Sequence, residues 1–318
     1  MTLLAATGDA VVRLDGDGDG FRVSLGLQGS GAQCLAGGGG TAYVGCRGSG
    51  VWRSDDDGAT WRDLHLPADD VFSVAVSPAD GAVYAGCEPS ILFRSDDDGE
   101  SWRELESLRS IPSAPTWSFP PRPWTSHVRW IAPSPHDPGI LLVGIELGGL
   151  MRSDDGGESW EDHRPGAKRD VHCLAWHPTA SGRAYETGGD GTAWSRDGGR
   201  TWEPVDDGRD RNYSWALGVD PDDPDTWFVS VSPGPFHAHS DGRDAEAYLY
   251  RWSGEGPWMA VAGPFFSMPY ALRFADGALY AGFSDGGMLA SDDGGERWSQ
   301  VPLSGEELPR LVSLVALD

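Results

Sequence analysis

The nine residues Arg94–Trp102, RSDDDGESW, decide how the whole chain is read. Close variants recur: RSDDDGATW ends at Trp61, RSDDGGESW at Trp160, SRDGGRTW at Trp202 and ASDDGGERW at Trp298. Aspartates beside a glycine invite a metal or catalytic reading. A catalytic site is built once, however, and this string is built many times. Gly99 permits a left-handed backbone and Asp97 can accept hydrogen bonds from turn amides, which are the ingredients of a tight hairpin. Trp102 should then enter the next strand as a large buried anchor.

Ser54, Ser95, Ser153, Ser195 and Ser291 mark the clear copies. Two degenerate copies fill the gaps: RLDGDGDGF, with Leu14 at the serine position, and RWSGEGPW, which begins at Arg251. The units follow one another at 38 to 42 residues, with two longer intervals of 58. Around Arg94–Trp102 a unit reads as four short strands: Phe72 to Ser77, Ala82 to Cys87, Ile91 to Ser95, and a fourth from Trp102. Four strands in about 40 residues is the pattern of a propeller blade. The expected fold is therefore all-β, a seven-bladed β-propeller of four-stranded blades forming one domain over residues 1–318. The chain opens with a second-strand sequence, TLLAATG, and closes with a first-strand sequence, LVSLVALD. Residues near Val312 to Ala316 should thus complete the blade of Leu3 to Ala6 and close the ring.

The consensus S-x-D-x-G-x-[ST]-W, matched at every position by four copies, resembles the Asp-box, or bacterial neuraminidase repeat. It is found in sialidases, sortilins, xyloglucan-cleaving propellers and photosystem II assembly factors. The resemblance implies that each Asp-box is the hairpin between the third and fourth strands of a blade. It implies no single activity, because these families do different things on similar scaffolds. Sialidases have six blades and fix three arginines, a Tyr–Glu pair and an aspartate in register, so a seven-unit chain inherits none of those residues. Xyloglucan-cleaving relatives work in a cleft between two propellers, and this chain supplies one. The assembly factors carry an arginine-rich patch and a targeting signal, and this chain is strongly acidic.

The net charge is −25 and Lys168 is the sole lysine. Such a surface repels nucleic acid and anionic membranes. No apolar run approaches the roughly 18–20 residues of a membrane span, and MTLLAATGDAVVRL lacks the basic region of a signal peptide. Cys34, Cys46, Cys87 and Cys173 form no C-x-x-C pair and sit in apolar, strand-like contexts, as reduced buried cysteines do. The expectation is a cytoplasmic monomer with neither nucleic acid nor membrane as partner.

The two long intervals place insertions at Glu106 to Ser126 and Ser232 to Ala247 on the face opposite the Asp turns. The repeats also act as an internal alignment. At the second position of strand one stand Gln33, Phe72, Arg129, His172, Trp215 and Tyr270; just after strand two stand Arg47, Glu88, Glu146 and Ser284, with Glu186 close by. A core would not choose such residues, so both sets should ring the channel mouth. Glycoside cleavage needs two carboxyl groups, which makes Glu88 and Glu146 the first candidate pair. Glu186 stands in reserve, and His172 is a proton shuttle. Arg47 and Arg129 would hold an anionic group, while Trp215 and Tyr270 complete the ring. Trp117 and Trp124, set among prolines with Phe119, would stack on a sugar ring. For metals, Asp15, Asp17 and Asp19 have the oxygen spacing of a calcium loop, with Gly26 where the closing glutamate would be. His237 and His239 would point to one side of an extended segment and, with His172 or Glu146, have the donors for a transition metal, although no cofactor is expected. The sequence thus favours a small polar or carbohydrate-like ligand and leaves open whether glycosyl-hydrolase-like catalysis accompanies it. The alternative is a non-catalytic interaction or assembly propeller, which a flat apolar face of Trp117, Phe119 and Trp124 would favour.

Overall fold

The structure, a computed structural model, describes residues 1–119, 125–240 and 242–317. Seven antiparallel sheets follow one another around a central channel. Their innermost strands are Ser313–Ala316, Ala32–Gly38, Val71–Val76, Val128–Pro133, Val171–Trp176, Tyr213–Val219 and Pro269–Ala275. Ser313–Ala316 pairs with Thr2–Ala6, so both ends of the chain share blade one and close the ring as the sequence requires. Two blades depart from a plain four-strand pattern. Blade one gains an outer strand, Leu303–Gly305, which runs parallel to Gly20–Gly26. Blade four has three strands, and its fourth is reduced to a bridge between Arg152 and Glu161.

Neighbouring blades pack closely because strand two carries a glycine under the first residues of the next blade. A Cβ on Gly45, Gly86 or Gly144 would lie 2.4–2.6 Å from a methyl of Val71, Val128 or Val171 respectively. Gly282 meets Leu311 in the same way at 2.5 Å. A second device ties the turn face together. The arginine preceding the turn serine donates to a backbone carbonyl of the next blade's turn: Arg53 to Asp98 at 3.0 Å, Arg152 to Gly198 at 2.7 Å, and Arg251 to Gly294 at 2.8 Å.

Each Asp turn satisfies itself. Ser95 Oγ donates to Asp97 Oδ1 and accepts from the Gly99 amide, both at 2.8 Å. Asp97 Oδ1 then accepts from the Ser101 amide at 2.8 Å, and Oδ2 from the Ser101 hydroxyl at 2.6 Å. The same set recurs around Asp56, Asp155 and Asp197. Gly99 has φ +90°, with Leu64 in the space a Cβ would need. The hydrogen bonds from Thr60 hold Asp56 down at about 2, well below the usual carboxylate range. These turns are scaffolding. Trp202 is deeply buried, whereas Trp102 is half-buried and reaches across to the Leu64 carbonyl of blade two.

Candidate functional site

Six innermost strands share an irregularity that the sequence does not announce. Near the start of each, pairing with strand two slips: between Ala32 and Cys34, Val71 and Ser73, Val128 and Trp130, Val171 and Cys173, Ser214 and Leu217, and Pro269 and Ala271. The skipped residues include Gln33, Phe72, Arg129, His172, Trp215 and Tyr270. A bulge re-aims a side chain and releases it from the sheet's alternation. All six line the channel, a cavity of about 1010 Å³.

Two polar clusters flank this ring. In blades two and three, Arg47 lies 3.7 Å over the Phe72 ring and is bonded to Asp70, and at 3.3 Å to Glu88. Glu88 also accepts from the Thr125 hydroxyl. Arg47 is therefore shared between Asp70 and Glu88, whereas Glu146 pairs with His127 and Arg129, so the two glutamates belong to different networks.

The second cluster spans blades four to seven. Glu146 is buried and accepts from His127 Nε2 at 2.6 Å, with Arg129 Nε at 3.5 Å from the same oxygen. Burial alone would raise its pKa, but the His127 hydrogen bond and the Arg129 charge outweigh it and hold the carboxyl at about 2. Asp170 is the opposite case. Burial, with Glu146 and Asp190 as like-charged neighbours, pushes it up to about 7. His172 donates from Nδ1 to the Ser214 carbonyl at 2.7 Å, so its Nε2 carries the lone pair; that atom lies 3.6 Å from Asp170 Oδ2. Burial lowers His172 to about 4, which keeps it neutral.

The opposite wall is aromatic. Trp215 packs against His172 and His239, each ring centroid 4.5 Å away, and under the Arg129 guanidinium at 4.7 Å. His239 is held between Tyr213 Oη at 2.7 Å and Tyr270 Oη at 2.8 Å. Because Tyr270 also donates to the Ala238 carbonyl, a consistent proton order runs from Tyr213 to His239 to Tyr270 to that carbonyl.

Several sequence candidates fall elsewhere. Glu186 is not at the mouth: it pairs with Leu174 and Ala193 inside blade five, is fully buried, and accepts from the Lys168 amide at 3.0 Å. Burial raises its pKa to about 8, so it is a protonated core residue. Trp117 is buried in the core beneath its own insertion and donates to Ser113 Oγ at 3.1 Å, which removes it as a stacking platform. Trp124 lies outside the described residues. Asp15 and Asp17 do not converge as a calcium loop would require, because Arg13 pairs with Asp15 at 2.9 Å and Arg22 with Asp17 at 3.3 Å; Asp19 sits in the turn beyond them. His237 and His239 lie on a short helix, Pro235–His239, rather than an extended segment. Two residues on a helix diverge, so His239 enters the mouth while His237 turns outward to Glu246 at 3.4 Å.

The residues missed were Asp170, His127 and Tyr213. A signal existed two positions ahead of the set inspected. Immediately before or at the start of strand one the blades carry Asp70, His127, Asp170 and Tyr213. Gly189 makes room for Asp170: it occupies the slot that holds Arg47, Glu88 and Glu146 in other blades, and a Cβ there would lie 2.0 Å from Asp170 Oδ2.

No family model matches the chain. A stretch of 112 residues, 35% of the chain, is 31% identical to the vacuolar protein sorting/targeting protein 10 of Emericella nidulans, of which it covers 7%. Among solved structures, the GH74 xyloglucanase from Xanthomonas campestris superposes with a TM-score of 0.63 at 18% identity, over 94% of this chain and 47% of that one. YCF48 bound to a D1 peptide superposes with a TM-score of 0.56 at 20% identity, over 85% of this chain and 81% of that one. The chain thus spans about half the length of the xyloglucanase and a small part of the sorting protein. At these identities the likeness is one of fold: a seven-bladed propeller with glycosyl hydrolase and assembly-factor neighbours.

Proposed function

We propose that this chain is an Asp-box-type propeller that binds a small polar, carbohydrate-like ligand at the channel mouth on the insertion face. One observation carries the reading. The bulges of consecutive blades deliver Arg129, His172, Trp215 and Tyr270 into a single cavity, with Glu146 beside Arg129 and Asp170 beside His172. A concave site with few convergent polar groups and an aromatic face is how proteins hold sugars and similar ligands. The flat apolar platform that would favour a protein partner is weakened by the burial of Trp117. A hydrolase version of the reading would use Glu146 and Asp170 as its carboxyl pair.

The test is calorimetric titration of the full chain with neutral and acidic mono- to tetrasaccharides. A saccharide should bind, and Trp215→Ala should weaken it at least tenfold. No binding at millimolar saccharide, or binding that survives Trp215→Ala unchanged, would overturn the reading.

A further inference from the structure

We propose that Glu146, Asp170 and His172 form a site for one divalent transition metal ion of the zinc type at the edge of the channel mouth. One ligand atom from each residue lies within 4.8 Å of the other two. The acidic pair alone would be an ordinary polar cluster. The deciding feature is His172, 1% exposed, whose Nε2 has no hydrogen-bond partner and faces Asp170. A buried ring nitrogen with an unshared lone pair is costly unless something accepts it.

The surroundings fit a metal ligand set. His172 donates its other nitrogen to the Ser214 carbonyl, which fixes the tautomer and presents Nε2 as a donor atom, the usual support for a metal-bound imidazole. His127 and Arg129 both engage Oε2 of Glu146, leaving Oε1 for an ion. Asp170 Oδ1 is buried without a partner. With bonds near 2.0–2.2 Å, a tetrahedral ion would draw the three atoms to about 3.4 Å apart. Asp170 supplies that movement, since its side chain is the least buried of the three. One imidazole and two carboxylates suit zinc or manganese better than calcium. Two anionic ligands balance the ion's charge, and the adjacent Arg129 limits the site to a single ion. Three protein ligands leave a coordination position open toward the channel.

This inference stands apart from the saccharide reading, because it is tested with metal alone. Chelator-treated full-length protein is titrated with zinc chloride and, separately, manganese chloride, and the thermal midpoint is followed with each. One ion per chain should bind and raise the midpoint. Asp170→Asn and His172→Gln should each weaken binding at least tenfold. Cobalt should give a tetrahedral visible spectrum in the wild type that is absent from His172→Gln. Folding of each variant is checked by its own cooperative melt, and if one fails to fold the other carries the comparison. No binding by wild type at millimolar zinc and manganese would overturn the proposal. So would stoichiometric binding that Asp170→Asn and His172→Gln leave intact.

Discussion

Asp97 and Asp170 are both aspartates beside a strand end, on opposite faces of one ring. Asp97 is enclosed by hydrogen bonds from its own hairpin, and the same arrangement recurs around Asp56, Asp155 and Asp197. Asp170 has a buried oxygen with no partner and a pKa pushed toward neutrality by burial and by Glu146. On the turn face, the repeated carboxylates are fully satisfied. On the mouth face, blades disagree and polar atoms are left unpaired. Full satisfaction marks the turn carboxylates as scaffolding, whereas an unpaired, displaced carboxyl at the rim of a channel marks a place where something else is meant to bind.

This contrast can be broken most forcefully at its structural end. Trp202 is buried and its indole N–H donates to the Gly199 carbonyl, so Trp202→Ala should cost about 3–5 kcal/mol in urea unfolding. Trp102→Ala should cost less, because that ring is half exposed. Glu146→Gln comes next, at about 3 kcal/mol, because it strips a buried carboxylate from His127 and Arg129. Ser153→Ala follows at about 1–2 kcal/mol, since it removes the acceptor of the buried Gly157 amide.

The last effect is a slope, smallest when taken over a single pH unit. Glu186 has a folded pKa near 8, above the ordinary glutamate value, so the folded state holds the extra proton between the two. Its contribution is complete below the unfolded pKa and is lost as pH rises through the folded one. Over that window stability should fall by up to about 1.4 kcal/mol per pH unit from this group. Glu186→Gln should flatten the slope measured between pH 5 and 8; an unchanged slope would show that Glu186 is ionised in the fold.

The repeat made the fold legible. Self-similar turns and four short strands per unit leave little freedom, and ring closure followed from TLLAATG and LVSLVALD. The mouth was legible only in part. Arg129, His172, Trp215 and Tyr270 were found because the blades disagree at that position. The reason they point inward, a bulge in six strands, has no residue signature. Asp170 escaped because it precedes the strand, and its place depends on Gly189, an absence of side chain in another loop. Glu186 was misplaced because it lies two residues before the end of its strand rather than after it. Gly234 and Pro235 start a helical turn, which separated His237 from His239.

The central claim is that the turn aspartates are structural and that Asp170 at the mouth is not. Paired thermal melts of Asp155→Ala and Asp170→Ala, both in chelator so that no ion contributes, test it most directly. Asp155→Ala strands the Ser159 amide and hydroxyl and should lower the midpoint by several degrees. Asp170→Ala removes a carboxyl crowded by Glu146, while its backbone carbonyl still accepts from Gly189, so its midpoint should stay level or rise. A fall for Asp170→Ala as large as that for Asp155→Ala would make the mouth another piece of scaffold.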